Sequence, residues 1–318
     1  MRALITGVAG FAGSYLAEYL LDHTDLEVWG VVHRSTANVA HLGDRLHHVP
    51  ADLNDLDAVA SVVDKVRPNY VFHLAARATP SVSWQAPWNT IHDNLRFQFN
   101  VLEALVSTGT LARALVVGSA DEYGLIEPQD LPVTEMVSLR PNSPYAVSKA
   151  AQDLLGFQYF ATHKLPVVRV RPFNHIGPRQ SDDFVTASFA RQIAEAEAGL
   201  REPVIRVGNL NARRDFTDVR DVVRGYWLLL RDGTPGQVYN LGSERARPIE
   251  RLLRTLLNMS RVSIRVEVDP ARLRPSDVPI LVSDCRKARQ CTGWQPEIPL
   301  EQSLADVLDY WRAQVRQG

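Results

Sequence analysis

An apolar run, Ala3-Leu4-Ile5, leads into Gly7-Val8-Ala9-Gly10-Phe11-Ala12-Gly13, and an amphipathic pattern continues from residue 11 to 22. The order predicts a strand, a tight turn and a helix packed closely on the strand end, in that sequence. Glycines recur here every three residues, which suits close approach of backbone to backbone, because glycine has no Cβ.

The same rhythm continues outward from this turn. Arg2–Thr6, Glu27–Val32, Leu46–Val49, Tyr70–Leu74, Arg113–Val117 and Pro166–Arg171 read as strands, with helical patterns at 11–22, 54–65, 89–107 and 144–163 between them. Strands alternating with helices predict an α/β fold, a doubly wound parallel sheet of Rossmann type. After about residue 172 the rhythm breaks into Pro- and Gly-punctuated loops, with helices at 184–198, 219–230, 247–258 and 300–315 and strands at 204–207, 238–241 and 264–268. A smaller α+β substrate domain is expected there. The division predicted is 1–172 with 216–242 for the dinucleotide-binding domain, and 173–215 with 243–318 for the substrate domain.

The glycine turn identifies the ligand class that such a sheet holds. Gly7 allows the tight turn, Gly10 lets the backbone approach a pyrophosphate, and Gly13 packs the helix on the strand, while Phe11 and Ala12 begin the helix whose amides attract the anion. At the end of the second strand, Val32-His33-Arg34-Ser35 carries a guanidinium where a carboxylate selects NAD. A permanently charged fork suits a 2′-phosphate, so NADPH/NADP is the expected cofactor, with NAD the alternative. Asp52 and Leu53 after the third strand are placed along the adenine. Leu74-Ala75-Ala76 after the fourth passes under the pyrophosphate.

Composition excludes other classes. With 35 Lys+Arg against 36 Asp+Glu the charge is balanced, so neither nucleic acid nor an anionic membrane is an expected partner. No run approaches the roughly 18 apolar residues of a membrane span. Cys285 and Cys291 are too few for a disulfide scaffold and wrongly surrounded for a metal, which together with the lack of a signal-like N-terminus predicts a cytoplasmic protein without metal.

Tyr145-Ala146-Val147-Ser148-Lys149 sets a phenol and an ammonium four residues apart, on one face of a helix that Ser143 caps and Pro144 starts. A chain with 9 Tyr and 4 Lys in 318 residues yields such a pair by chance about 0.1 times. The ammonium is expected to lower the phenol's pKa, fitting Tyr145 for proton exchange near neutral pH. Ser119, at the end of the fifth strand in Gly118-Ser119-Ala120-Asp121-Glu122-Tyr123-Gly124, is placed to orient the same substrate oxygen.

Taken together, Gly7-x-x-Gly10-x-x-Gly13, Asp52-Leu53, Leu74-Ala75-Ala76, Ser119 and Tyr145-x-x-x-Lys149 resemble an extended short-chain dehydrogenase/reductase along the whole chain. The resemblance implies a nucleotide-sugar substrate. Arg171-Pro172-Phe173-Asn174-His175-Ile176-Gly177-Pro178, Asp183-Phe184-Val185-Thr186, Arg213-Arg214-Asp215-Phe216-Thr217-Asp218 and Arg274-Pro275-Ser276-Asp277 look like the branch of GDP-mannose 4,6-dehydratases and GDP-4-keto-6-deoxy-mannose reductases. Within that branch the likeness implies that Asn174, Arg214 and Arg274 hold the diphosphate, Asp277 the ribose and the Val185 region the guanine, with Ser83 a further substrate contact. It also implies a homodimer through a four-helix bundle of the 89–107 and 144–163 helices.

Many sugar dehydratases resemble Thr-Asp-Glu at the fifth strand's end and the GDP-mannose enzymes Thr-Ser-Glu, where this chain has Ser119-Ala120-Asp121. Removing a C5 proton and a C6 hydroxyl calls for carboxyl chemistry that Ala120 lacks and that Asp121 offers on a shorter arm. Reduction of a ready-made 4-keto sugar needs only hydride and a proton donor. The expectation is therefore an NADPH-dependent reductase of a GDP-4-keto-6-deoxy-hexose, with catalytic residues Ser119, Asp121, Tyr145 and Lys149. The alternatives are GDP-mannose 4,6-dehydratase, nucleotide-sugar 4-epimerase, and a non-catalytic NADP(H)-binding regulator.

Overall fold

The computed structural model describes residues 1–33, 35–273 and 278–317. In chain order the elements are β1 Arg2–Thr6, α1 Phe11–His23, β2 Glu27–Val32, β3 Leu46–Pro50, α2 Leu56–Val66, β4 Tyr70–His73, α3 Pro80–Ser83, α4 Pro87–Ser107, β5 Arg113–Val117, α5 Pro144–His163 and β6 Val167–Pro172. They continue as β7 Asn174–Ile176, α6 Val185–Glu197, β8 Val204–Val207, β9 Arg213–Asp218, α7 Val219–Asp232, β10 Val238–Leu241, β11 Ala246–Pro248, α8 Ile249–Asn258, β12 Arg265–Val268, β13 Ile280–Leu281, α9 Arg286–Thr292 and α10 Leu300–Gln317.

A seven-stranded sheet runs β10-β6-β5-β4-β1-β2-β3, parallel at every pairing. The order reverses beside β1, so the strands' carboxyl ends open onto the crevice where ligands of doubly wound sheets bind. One face buries Leu16, Leu20, Phe72, Val222 and Tyr226, under α1 and α7. The other buries Val62, Val66, Val101, Leu105 and Tyr159, under α2, α4 and α5. Because both faces are covered, the strands are continuous apolar runs such as Ala114-Leu115-Val116 in β5, rather than alternating ones.

Beyond β6 the chain builds a second cluster from Phe189, Ile193, Ile205, Phe216, Leu252, Leu256 and Leu308, between α6, α8, α10 and two small sheets. The strand Val238–Leu241, within the segment 216–242 assigned to the dinucleotide-binding part, pairs with β6 at the edge of the main sheet. Arg213–Asp218 was not expected as a strand, since its pattern is polar. Its Asp215 is buried nonetheless, accepting from the amides of Ser243, Glu244 and Ser283 and from the hydroxyls of Ser243 and Ser283.

Helix starts follow local chemistry. Asp55 accepts from the amides of Asp57 and Ala58 to begin α2, Asp218 from Arg220 to begin α7, and Ser143 from Ala146 to begin α5 with Pro144 in its first turn. The last of these aims Tyr145 and Lys149 at the end of β5.

Candidate active site

The turn between β1 and α1 fits a pyrophosphate. Gly7 has φ +73°, and a Cβ there would lie 2.8 Å from the Ala75 amide nitrogen. At Gly13 it would lie 2.1 Å from the Gly7 carbonyl oxygen, so this glycine seats the helix on the turn. Gly10 differs: it is exposed, and its added Cβ would meet only the Gly7 oxygen, at 3.1 Å. Gly10 is also the N-cap of α1 and offers no side chain to the helix's first amides, which have no partner within a helix. An open surface beside uncapped amides and a positive dipole end suits a phosphate.

The neighbouring residues support this turn. Phe11 and Ala12 contribute backbone amides, while the Phe11 ring stacks on His175 with centroids 5.7 Å apart. Leu74 and Ala75 are tied to β1, their amides donating to the Thr6 carbonyl at 3.2 Å and the Thr6 hydroxyl at 3.3 Å. That hydroxyl also meets His73 Nδ1 at 2.9 Å. His73 is buried, and burial together with the nearby Lys149 ammonium lowers its pKa to about 3, so it stays neutral. Asp52 is exposed after β3, where its carboxylate accepts from the Asn54 amide at 2.9 Å, and the Leu53 carbonyl accepts from Asn100 at 2.7 Å. Ala76 is half-buried beside them. Arg34, expected at the 2′-phosphate, lies outside the described residues.

At the end of β5 the candidate proton-transfer residues converge. The Tyr145 phenol hydrogen-bonds Ser119, whose hydroxyl accepts from the Asp121 amide at 3.1 Å. Lys149 Nζ donates to the Val117 carbonyl at 2.8 Å. Burial raises the Tyr145 pKa, the Asp121 carboxylate raises it further, the Ser119 hydrogen bond lowers it and Glu122 raises it. The expected lowering of the phenol by Lys149 is therefore corrected: burial governs, and the ammonium is engaged with the Val117 carbonyl. Burial in turn lowers the Lys149 pKa to about 8, against the opposing pull of Glu122.

Two features of this turn were not read from the sequence. Ala120 faces inward, buried with Tyr123, Val133, Phe173 and Leu281. Glu122 is fully buried, and its Oε1 accepts the Ser119 amide at 2.7 Å. The signal was available, since Ser119-x-x-Glu122 is the spacing of a capping box.

On the substrate side, Asn174 begins β7 and is exposed, Arg214 is half-buried on β9, and Val185 starts α6 half-buried. Ser83 is fully buried at the end of α3, a helix packed on α5. Arg274 and Asp277 lie outside the described residues. Among the described residues, no cluster of three or more His, Cys, Asp or Glu is arranged to hold a metal ion, and no helix is long and apolar enough to cross a membrane.

With this geometry established, comparisons with known proteins locate the chain. The family model described as GDP-mannose 4,6 dehydratase matches residues 4–307. The chain is 35% identical to a GDP-6-deoxy-D-mannose reductase of Pseudomonas aeruginosa, across 99% of each. It is 30% identical to a GDP-mannose 4,6-dehydratase of Vibrio cholerae, covering 96% of this chain and 92% of that one. Among solved structures, it resembles RMD from Pseudomonas aeruginosa complexed with NADPH, with a TM-score of 0.88 at 34% identity over 98% of this chain and 99% of that one.

Proposed function

We propose that this chain, which belongs to the GDP-mannose 4,6-dehydratase family, is an NADPH-dependent reductase of the C4 keto group of a GDP-4-keto-6-deoxy-hexose. The product is GDP-D-rhamnose or its C4 epimer. The observation that carries the reading is the turn after β5. It presents Asp121 beside the Tyr145 phenol, while the Ala120 methyl packs into an apolar cluster and Glu122 is fully buried, its carboxyl taken up by the Ser119 amide. Elimination at C5 and C6 needs both a base and assistance to the departing hydroxyl, whereas ketone reduction needs neither.

The residues divide the work as follows. Gly7, Gly10 and Gly13 with the amides of Phe11 and Ala12 hold the pyrophosphate, Arg34 the 2′-phosphate, and Leu74-Ala75-Ala76 line the passage beneath. NADPH, when bound, supplies the hydride for C4. Tyr145 donates its proton to the oxygen that becomes an alkoxide, and Ser119 orients that oxygen through the hydroxyl it shares with the phenol. A phenol pKa raised by burial serves this direction, because the donor stays loaded across the neutral range. Lys149 stabilises the phenolate left behind.

For the sugar nucleotide, Asn174, Arg214 and Arg274 take the diphosphate, Asp277 the ribose, Val185 and its neighbours the base, and Ser83 supports the sugar pocket. The domain division at 172, 215 and 242 belongs to the same reading, the crevice between the two parts being the site. A homodimer through α4 and α5 is supported by exposed apolar side chains on those helices, Phe99, Val147, Leu154 and Phe157. A cytoplasmic location fits a small-molecule cofactor and two free cysteines. Incubation with NADPH and a panel of 4-keto nucleotide sugars, followed by loss of cofactor absorbance, tests the proposal: oxidation with the GDP-4-keto-6-deoxy sugar is expected, and none with any member of the panel would refute it.

A further inference from the structure

The chain leaving β7 turns back across the helix that starts at the glycine turn. In Gly177-Pro178-Arg179-Gln180 the backbone of Arg179 takes φ +72°, a left-handed conformation uncommon outside glycine. Its guanidinium carbon sits 3.7 Å from the centroid of the Tyr15 ring. Both guanidinium arms donate to Glu18, at 2.7 and 2.9 Å, and the Tyr15 hydroxyl donates to the Pro178 carbonyl at 3.2 Å. A planar fork that pairs a carboxylate twice while lying over an aromatic ring is a geometry that arginine supplies and lysine does not.

One arm reaches further. Arg179 Nη1 also donates to the Asn38 carbonyl at 3.2 Å, while the Asn38 side-chain amide donates to the Ala9 carbonyl, inside the Gly7–Gly13 turn, at 3.0 Å. Asn38 belongs to helical turns over Ala37–Arg45, which follow β2 and bury Val39 and Leu42 in the core cluster that also takes Leu16 and Leu20 of α1. Those apolar contacts hold the segment against α1. What the Arg179 contact adds is the position of one backbone carbonyl, shortly after Arg34, relative to the glycine turn. Arg179 and Glu18 thus join the loop after β7, the cofactor helix and the segment after β2.

We propose that Arg179 is a positioning residue for the 2′-phosphate of NADPH, its fork on Glu18 fixing the segment after β2 in the arrangement that receives that phosphate. It acts through the segment rather than on the cofactor, since its charge is already paired with Glu18. The inference rests on the reading of Val32-His33-Arg34-Ser35 as the 2′-phosphate site. NADPH and NADH differ only in that phosphate, so a residue that arranges its receiving segment changes the ratio of their affinities, whereas one that merely stabilises the fold does not.

Fluorescence titrations of NADPH and NADH against wild type, Arg179→Gln and Glu18→Gln test this. Arg179→Gln should weaken NADPH about tenfold, the result when the receiving arrangement is populated roughly a tenth of the time, and leave NADH within about twofold of wild type. Glu18→Gln removes a negative charge near an anion site, so electrostatics alone would tighten NADPH; loss of the fork should instead weaken it, in the same sense as Arg179→Gln. Equal losses for NADPH and NADH overturn the inference, as do an unchanged ratio and a Glu18→Gln variant that binds NADPH more tightly. If Arg179→Gln fails to fold, the ratio in Glu18→Gln decides. A wild type that binds the two cofactors equally refutes the 2′-phosphate reading and the inference with it, whereas a wild type that prefers NADPH beside variants that keep the preference overturns the inference alone.

Discussion

Lys149 donates its ammonium to the Val117 carbonyl at 2.8 Å, so the cation beside Tyr145 is anchored to the same strand end that carries Ser119. Burial has lowered the Lys149 pKa to about 8. The ammonium is the protonated form, present below that pH and lost above it. Turnover supported by a charged Lys149 should accordingly hold through neutral pH and fall as pH rises through about 8. A profile of kcat against pH checks this, and a rate that stays level well above pH 8 would detach Lys149 from the chemistry.

Tyr145→Phe retains the ring and its packing but removes the transferable proton. Reductase kcat should fall by about 10² to 10⁴-fold, the usual contribution of a general acid, with NADPH affinity near wild type. Stopped-flow or steady-state turnover beside a fluorescence titration of the cofactor separates the two effects. Wild-type turnover in this variant would remove Tyr145 from the mechanism.

Gly10 and Gly13 should respond differently to the same added methyl. Gly10→Ala meets only the Gly7 oxygen at 3.1 Å and should fold normally while losing NADPH affinity, because the methyl occupies the phosphate cradle. Gly13→Ala places a Cβ 2.1 Å from that same oxygen and should lower the melting temperature as well. Thermal melts paired with cofactor titrations distinguish them; equal loss of stability in both would show that Gly10 serves packing rather than binding.

The parts legible in the sequence were those set by local chemistry. The Gly7–Gly13 turn, the Ser143-Pro144 start of α5 and the four-residue spacing of Tyr145 and Lys149 each depend on neighbours in the chain, and each stands in the structure as expected. What depended on distant partners was harder to read. The polar strand β9 is stable because Ser243, Glu244 and Ser283 satisfy Asp215 from far along the chain. The direction of the Tyr145 shift was misjudged because Lys149 is visible in the motif, whereas the burial that outweighs it is not. Glu122 passed unnoticed because the Arg171 it faces comes from β6.

The claim that this enzyme reduces rather than dehydrates is tested most directly by running both reactions at equal enzyme concentration, GDP-mannose in one and its 4-keto-6-deoxy product with NADPH in the other. Of the two carboxyls of this turn, Glu122 is fully buried on the Ser119 amide, which leaves Asp121 beside Tyr145, and a missing general acid or base typically costs about 10² to 10⁴-fold. Reduction should therefore exceed dehydration by at least about 10²-fold. If dehydration is the faster reaction, Asp121 is the C5 base, Asp121→Asn abolishes turnover, and the reductase reading is contradicted.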